Sequence, residues 1–323
     1  MARRPWTREQ LVAGVLAGDH PALARSITLV ENREPDALAV VREIYPHTGA
    51  AFAIGITGPP GVGKSSLIAA LVRHVRALGL SVGVVSVDPS SPFTRGALLG
   101  DRIRLADHFL DPGVFIRSMG ARGHLGGLAE ATLQSLLLLD AAGYDVVFLE
   151  TVGTGQSEVE VMGIADEVLL VLMPGSGDSV QALKAGIMEI PDVIAINKMD
   201  QAGAKAMMND IRTVMSLGPD ARRRPEIVLT EALREEGIDT LWASLVERRE
   251  TLAAGGELEE RRRRTLAGEV VSAATARARA RIEEAIAVDP ALAELVTSVQ
   301  ERTVDPLTAV DTIVAAVLRE TAP

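Results

Sequence analysis

Seven short apolar runs recur between residues 52 and 230: FAIGIT, SVGVVSVD, VFIRSM, YDVVFLE, EVLLVLMP, DVIAINK and PEIVLT. They lack the polar–apolar alternation of a half-buried strand, so each predicts a strand covered on both faces. Amphipathic stretches lie between them, and that order predicts a mainly parallel central sheet flanked by helices, an α/β fold. The stretch before the first run, TREQLVAGVLAGDHPALARSITLVENR, has helical spacing opened by a capping-box pair, Thr7 and Gln10. Gly18-Asp19-His20-Pro21 divides it into two predicted helices, and YPHTG at 45–49 closes it. After about residue 240 the apolar runs stop, and an Ala-, Arg-, Glu- and Leu-rich texture predicts helices broken at Gly255-Gly256. The expected organisation is a helical N-terminal extension at 1–48, a central α/β domain at 49–245 and a helical C-terminal region at 246–323.

Composition changes this picture little. With 323 residues, 47% of them hydrophobic and 24% charged, the chain has material for one large core with smaller helical additions. A formal net charge of −10 gives no general attraction to nucleic acid or to anionic membranes, so neither is an expected partner. The chain has no cysteine, which excludes disulfides and thiolate metal sites and suits a reducing cytosol. The basic start MARRPWTREQ leads into no apolar stretch, so neither a signal peptide nor a membrane span is expected, and the reading is cytoplasmic. The run Arg261 to Arg264 predicts a solvated helix face paired with Glu257, Glu259 and Glu260, the alternative being a dock for an acidic partner.

Chemistry enters at GPPGVGKSS, residues 58–66, which fits G-x-x-x-x-G-K-[ST] and lies between a predicted strand and a predicted helix. Gly58, Gly61 and Gly63 let the backbone turn its amides inward, with Pro59, Pro60 and Val62 completing the loop and Ser66 following it. Lys64 is placed to reach the β and γ phosphates of a nucleoside triphosphate, and the Ser65 hydroxyl to bind Mg²⁺. The fold expected is therefore a P-loop NTPase.

Some 130 residues on, INKMD closes another predicted strand. In an N-K-x-D loop the carboxylate, here Asp200, accepts the N1 and N2 donors of guanine, with Asn197 at the other edge and Lys198 packed along the base. Adenine leaves that carboxylate unpaired, and discrimination on such grounds reaches about 10⁴. Thr230, Glu231 and Ala232 stand where such enzymes complete the base pocket, although Thr-Glu-Ala departs from the usual Ser-Ala.

Between these landmarks Asp88 ends a strand and Asp101 follows it. Acids beside a triphosphate need a cation, so both are candidates for direct or water-mediated Mg²⁺ binding. Arg95, Arg102 and Arg104 are candidates for a γ-phosphate clamp. Glu150 opens ETVGTGQSE at another strand end, where Gly153 is placed to sense the γ-phosphate through its amide and Gly155 to let the loop move. Gln156 has a different offset from a water-positioning glutamine, and a structural hydrogen bond is the alternative.

Taken in order, GITGPPGVGKSSLI, VDPSSPFTRGALLGDRIRL, FLETVGTGQSE, MPGSGDSVQALKAGIMEIPDV and INKMD resemble the MeaB/ArgK family of SIMIBI-class GTPases, from about residue 10 onward. The resemblance implies a Mg²⁺-dependent GTPase that serves as chaperone to an adenosylcobalamin-dependent acyl-CoA mutase, methylmalonyl-CoA mutase above all. It implies cofactor gating, protection or reactivation of that mutase, with an adenosyltransferase as a further candidate partner. It also implies a homodimer formed through the helical C-terminal region. By the same resemblance Lys64 and Ser65 serve phosphate and Mg²⁺, Asp88, Asp101 and Glu150 form the metal and catalytic set with them, and 177–189 is a loop through which the mutase is addressed. No cobalamin motif belonging to the chain itself is evident. Two rivals stand beside this reading. A nickel-inserting GTPase would call for Cys and His ligands, whereas here five histidines are scattered. An ATP-using kinase linked to amino-acid transport conflicts with Asp200.

Overall fold

Each apolar run forms a strand in the computed structural model, which describes residues 6–88, 108, 110–120, 125–151, 162–175, 191–216 and 224–319. The strands are β1 (Phe52–Thr57), β2 (Val82–Asp88), β3 (Val114–Gly120), β4 (Val146–Thr151), β5 (Glu167–Leu172), β6 (Val193–Ile196) and β7 (Glu226–Leu229). They form one sheet in the order β3-β2-β4-β1-β5-β6-β7, and each neighbouring pair is parallel. Along β1, β4, β5 and β6 every residue is buried, which is why these runs carry no alternation. The chain leaves β1 toward β2 and β3, returns to β4, and then passes to β5 on the other side of β1. A ligand crevice is expected where strand order reverses, outside the carboxyl ends of β4, β1 and β5.

Three hydrophobic clusters hold the layers. On one face the N-terminal helices α1 (Arg8–Leu16), α2 (His20–Asn32) and α3 (Pro35–Ile44) pack with helix α5 (Leu125–Ala141), whereas α4 (Lys64–Ala77) lies on the other. Leu23, Ile27, Val40 and Ile44 join Leu138, Val147 and Leu149 in a single cluster, so the N-terminal helices share the core of the sheet. The sequence predicts two helices here and the structure has three. Arg33 turns into the left-handed region at φ 54°, and Pro35 starts a new helix rather than extending the old one. Thr7 forms both bonds of the predicted capping box.

On the opposite face α4 (Lys64–Ala77) and α7 (Ile238–Ala254) bury Ile68, Leu71, Leu241 and Leu245 against Ile54, Ile56 and Leu169. Helix α6 (Ala204–Ser216) covers β5 and β6 through Ile211. Beyond the predicted break at Gly255-Gly256 come α8 (Glu257–Val288), α9 (Pro290–Gln300) and α10 (Pro306–Arg319). The chain separates into two units, Met1–Thr265 and Leu266–Pro323. In the second unit Val270, Val271, Val288, Leu307 and Val310 are exposed. No helix among the described residues is long and apolar enough to cross a membrane.

The arginine run departs from its prediction in half of its members. Arg263 and Arg264 pair with Glu260 on an exposed face, as expected. Arg261 and Arg262 instead reach Asp192 and Asp166, acids at the starts of β6 and β5 whose side chains are 5% exposed. A buried carboxylate calls for a charged donor more strongly than a solvated glutamate does, and a parallel sheet brings these two strand starts together.

Candidate nucleotide site

The loop from β1 to α4 follows the phosphate-cradle pattern. Gly58 sits at φ 146°, and a Cβ there would lie 2.1 Å from the Val171 carbonyl oxygen of β5. Gly63, at φ 95°, would place a Cβ 2.5 Å from the Asn197 amide nitrogen. Both positions therefore require glycine on two grounds, backbone conformation and close approach. Gly63 is the N-cap of α4 and offers no side chain to the first-turn amides, so the positive end of the helix is directed to an anion. Lys64 is buried at 8% exposure, and its Nζ donates to the carbonyls of Gly58 at 2.7 Å and Pro59 at 3.2 Å. Two backbone carbonyls thus hold the ammonium at its own loop, and a charged phosphate oxygen is a stronger acceptor than either.

Glu150 lies deeper, 3% exposed in β4. Its Oε1 accepts from the Ser65 hydroxyl at 2.7 Å and its Oε2 from the Ser86 hydroxyl at 2.9 Å. Ser86 is the register partner of Glu150 on β2, so strand pairing alone sets the two on one face. With its proton directed to Glu150, the Ser65 oxygen keeps its lone pairs for a hard cation. The donor set fits Mg²⁺ as a hydroxyl ligand backed by a carboxylate, and the longer glutamate side chain is what spans from β4 to the P-loop serine. Asp88 ends β2, but its side chain, together with Asp101, Gly153, Gln156, Arg95, Arg102, Arg104 and the segment 177–189, lies outside the described residues. Among the described residues no group of three His, Asp or Glu side chains is close enough to hold a metal without such partners.

The base loop is tied to this cradle. Asn197, 2% exposed, donates through Nδ2 to the Val62 carbonyl at 3.0 Å, while its Oδ1 accepts the Ala232 amide at 3.1 Å and the Thr230 hydroxyl at 3.4 Å. Lys198 takes a left-handed backbone at φ 57° and donates through Nζ to the Gly61 carbonyl at 2.9 Å. The Met199 amide bonds to Thr230 O at 3.0 Å, and the Thr230 amide to Ile196 O at 2.9 Å. Three loops that are far apart in sequence, after β1, β6 and β7, thereby form one rim. Asp200 stands exposed on it. Beside Asp200 lies the buried Glu231, whose carboxyl is pushed above the ordinary glutamate range by burial first and then by the neighbouring Asp200. The departure from Ser-Ala does not remove Thr230, Glu231 and Ala232 from the rim. Sequence reasoning missed Ser86, whose only signal is strand register. A cavity of about 820 Å³ lined by Trp6, Arg8, Arg25 and Arg117 lies on the N-terminal helices, and none of the predicted site residues lines it.

An all-parallel sheet with a phosphate loop after β1 and an N-K-x-D loop after β6 defines a P-loop GTPase. Within that class the family model described as "Methylmalonyl Co-A mutase-associated GTPase MeaB" matches residues 23–318, and the chain belongs to that family. A protein of Pyrococcus abyssi named as a GTPase is 46% identical over 96% of this chain and 97% of its own length. The GTPase ArgK of Escherichia coli is 38% identical over 75% of this chain and 76% of its own. A solved structure titled LAO/AO transport system kinase superposes with a TM-score of 0.71 at 25% identity, covering 98% of this chain and 100% of that one.

Proposed function

We propose that this GTPase binds GTP and Mg²⁺ at the carboxyl ends of β1, β4 and β6 and uses hydrolysis to govern an adenosylcobalamin-dependent acyl-CoA mutase, with methylmalonyl-CoA mutase the first candidate. The observation that carries the reading is the Ser65–Glu150 bond of 2.7 Å. It joins the hydroxyl assigned to the metal to the first residue of ETVGTGQSE, one of the runs that carry the family resemblance. A change at the γ-phosphate is thereby passed directly into that segment. The matched family's description names methylmalonyl-CoA mutase, which supports the choice of partner.

In this reading Lys64 turns from the Gly58 and Pro59 carbonyls to the β and γ phosphates and neutralises charge that builds up as the terminal phosphoryl group leaves. Ser65 would hold Mg²⁺ and Glu150 would support that hydroxyl, with Asp88 and Asp101 as the further candidate ligands. Such an ion would supply positive charge to offset that of the phosphate oxygens. Gly153 senses the γ-phosphate. Asp200 accepts the two guanine donors while Asn197, already bonded to Val62 and Ala232, fixes the loop that carries it. The client mutase orders the segments at 88–105 and 150–189, so turnover reports its engagement. The exposed valines and leucines of Leu266–Pro323 serve a homodimer, and the setting is the cytoplasm.

The test is a titration of the protein with its cognate mutase while GTP and ATP hydrolysis are followed. GTP turnover should rise about tenfold or more and saturate, with ATP left nearly untouched. A flat GTP rate across the titration overturns the mutase reading. Equal use of ATP overturns the guanine reading and returns attention to a kinase.

A further inference from the structure

We propose that Ser86 is a positioning residue of the metal site: acting through Glu150, it sets how strongly bound nucleotide and Mg²⁺ reinforce one another. The inference rests on the reading of Ser65 as a Mg²⁺ ligand and adds to it a residue that lies in none of the nucleotide motifs.

Ser86 interrupts an otherwise apolar stretch of β2, between Val85 and Val87, and is 5% exposed. A hydroxyl in that setting costs stability unless it is hydrogen-bonded. Its bond goes to Glu150 Oε2 at 2.9 Å, and the same carboxylate accepts the Ser65 hydroxyl on Oε1 at 2.7 Å. Residues from β2, β4 and the first turn of α4 therefore meet at one carboxylate, and each of its oxygens has a hydroxyl donor. A carboxylate at the end of a glutamate turns easily about its last bond. Two donors on opposite oxygens fix its plane better than one does. Strand pairing fixes the backbone beneath them, since Glu150 stands opposite Ser86 on β2 and opposite Ile56 on β1.

The consequence falls on Ser65. A hydroxyl presents its oxygen to a cation best when its proton is directed to a fixed acceptor, as the outer partners of metal ligands generally provide. Ser86 keeps Oε1 of Glu150 in that place. Without Ser86 the carboxylate loses its bond at Oε2, and Oε1 is less well fixed against Ser65. The glycines of the phosphate loop and the Lys64 ammonium make no bond to Ser86, so their hold on phosphate is left as it was. The loss should therefore fall on the part of nucleotide affinity that depends on Mg²⁺.

The experiment measures dissociation constants of the full-length protein for a β,γ-imido analogue of GTP, with Mg²⁺ in excess and with Mg²⁺ removed by a chelator. Their ratio is the Mg²⁺ enhancement, and it should favour the Mg²⁺-bound form in the wild type. Ser86→Ala should lower the enhancement about three- to tenfold, the effect of one hydrogen bond, with the constant under chelator within about twofold of wild type. Ser86→Thr keeps a hydroxyl and should restore the enhancement; Ser86→Ala, which adds no volume, decides the matter alone if the extra methyl does not fit. Ser118 is the register partner of Ser86 on β3, two strands from Glu150, and Ser118→Ala should match the wild type. In a Glu150→Ala background Ser86→Ala should have no further effect on the enhancement, because the residue it acts through is gone. A Ser86→Ala protein with the wild-type enhancement overturns the proposal and leaves the GTPase reading intact. So does one that adds its full loss to that of Glu150→Ala, or one that weakens binding equally with and without Mg²⁺ while lowering the melting temperature, the mark of a purely structural serine. A wild type whose affinity ignores Mg²⁺ overturns the metal reading as well.

Discussion

The two ends of the sheet hold buried acids in opposite ways. At the carboxyl ends, the Glu150 carboxylate accepts from the Ser65 and Ser86 hydroxyls and Lys64 donates to two backbone carbonyls. At the amino ends, Asp192 takes two bonds from Arg261 at 2.9 and 2.8 Å, and Asp166 takes two from Arg262 at 2.6 and 2.7 Å. Arg262 also donates to the carbonyls of Gly49 and Ala51, so the first turns of α8 are fixed to the start of β1 as well. Neutral hydrogen bonds exchange for phosphate and metal at small cost, whereas bidentate charge pairs in a dry setting do not open. On the proposed function, one end changes partners during turnover and the other remains closed.

The largest effect that separates the ends should follow Arg262→Ala. It strands Asp166, 5% exposed, without its charged partner, and loss of about 3–5 kcal/mol of folding stability is expected from denaturant unfolding. GTP turnover below the melting range should remain, because no bond at the nucleotide end is touched. Lys64→Ala should give the reverse, a loss of about 10²–10³ in turnover with little change in stability. If Lys64→Ala turned over GTP at the wild-type rate, the cradle would be misassigned. Glu150→Gln falls between, since an amide cannot accept from both serine hydroxyls through two oxygens. A fall of about 10–100-fold in turnover, accompanied by a higher Mg²⁺ requirement, is the expected outcome. Unchanged Mg²⁺ dependence would make Glu150 a structural residue only.

The sheet and the cradle were legible in the sequence because their causes are local. Strands buried on both faces are apolar throughout, and a phosphate loop must place its glycines, lysine and serine within nine residues. The link from Asn197 to Val62 spans 135 residues but is implied once both motifs are seen. Ser86 was not legible, since a serine in an apolar run acquires its role only from standing opposite Glu150 in the sheet register. Nor were the partners of Arg261 and Arg262, which lie 69 and 96 residues away and meet them only because the starts of adjacent parallel strands converge. The helix pattern of α8 gave nearer partners, and two of the four arginines took them. The third N-terminal helix escaped notice because Glu34-Pro35 reads equally well as the end of a helix and as the start of another.

The smallest predicted effect sharpens the comparison most, because it concerns an acid that belongs to neither scheme. Glu167, at the start of β5, has no exposed surface, and neither of its carboxylate oxygens has a hydrogen-bond partner. Burial, followed by the negative charge of Asp192, pushes its pKa up to about 8, although Arg248 and Arg261 pull against that shift. The unfolded chain releases this proton near pH 4.5 and the folded chain retains it until about pH 8. Between those values the folded state binds more protons, so the contribution of Glu167 to stability falls as pH rises and levels off above about pH 8. Glu167→Gln removes the titration while conserving shape. At pH 4.5 the variant and the wild type should therefore melt together, and by pH 8 the variant should be more stable by about 1–2 kcal/mol, after relaxation around the buried charge reduces the full linkage value. GTP turnover at a fixed pH should not respond. Parallel stability curves for the two proteins across this range would mean that Arg248 and Arg261 already hold Glu167 ionised, and that the closed end of the sheet is a fully paired network of three acids rather than two pairs enclosing a protonated one.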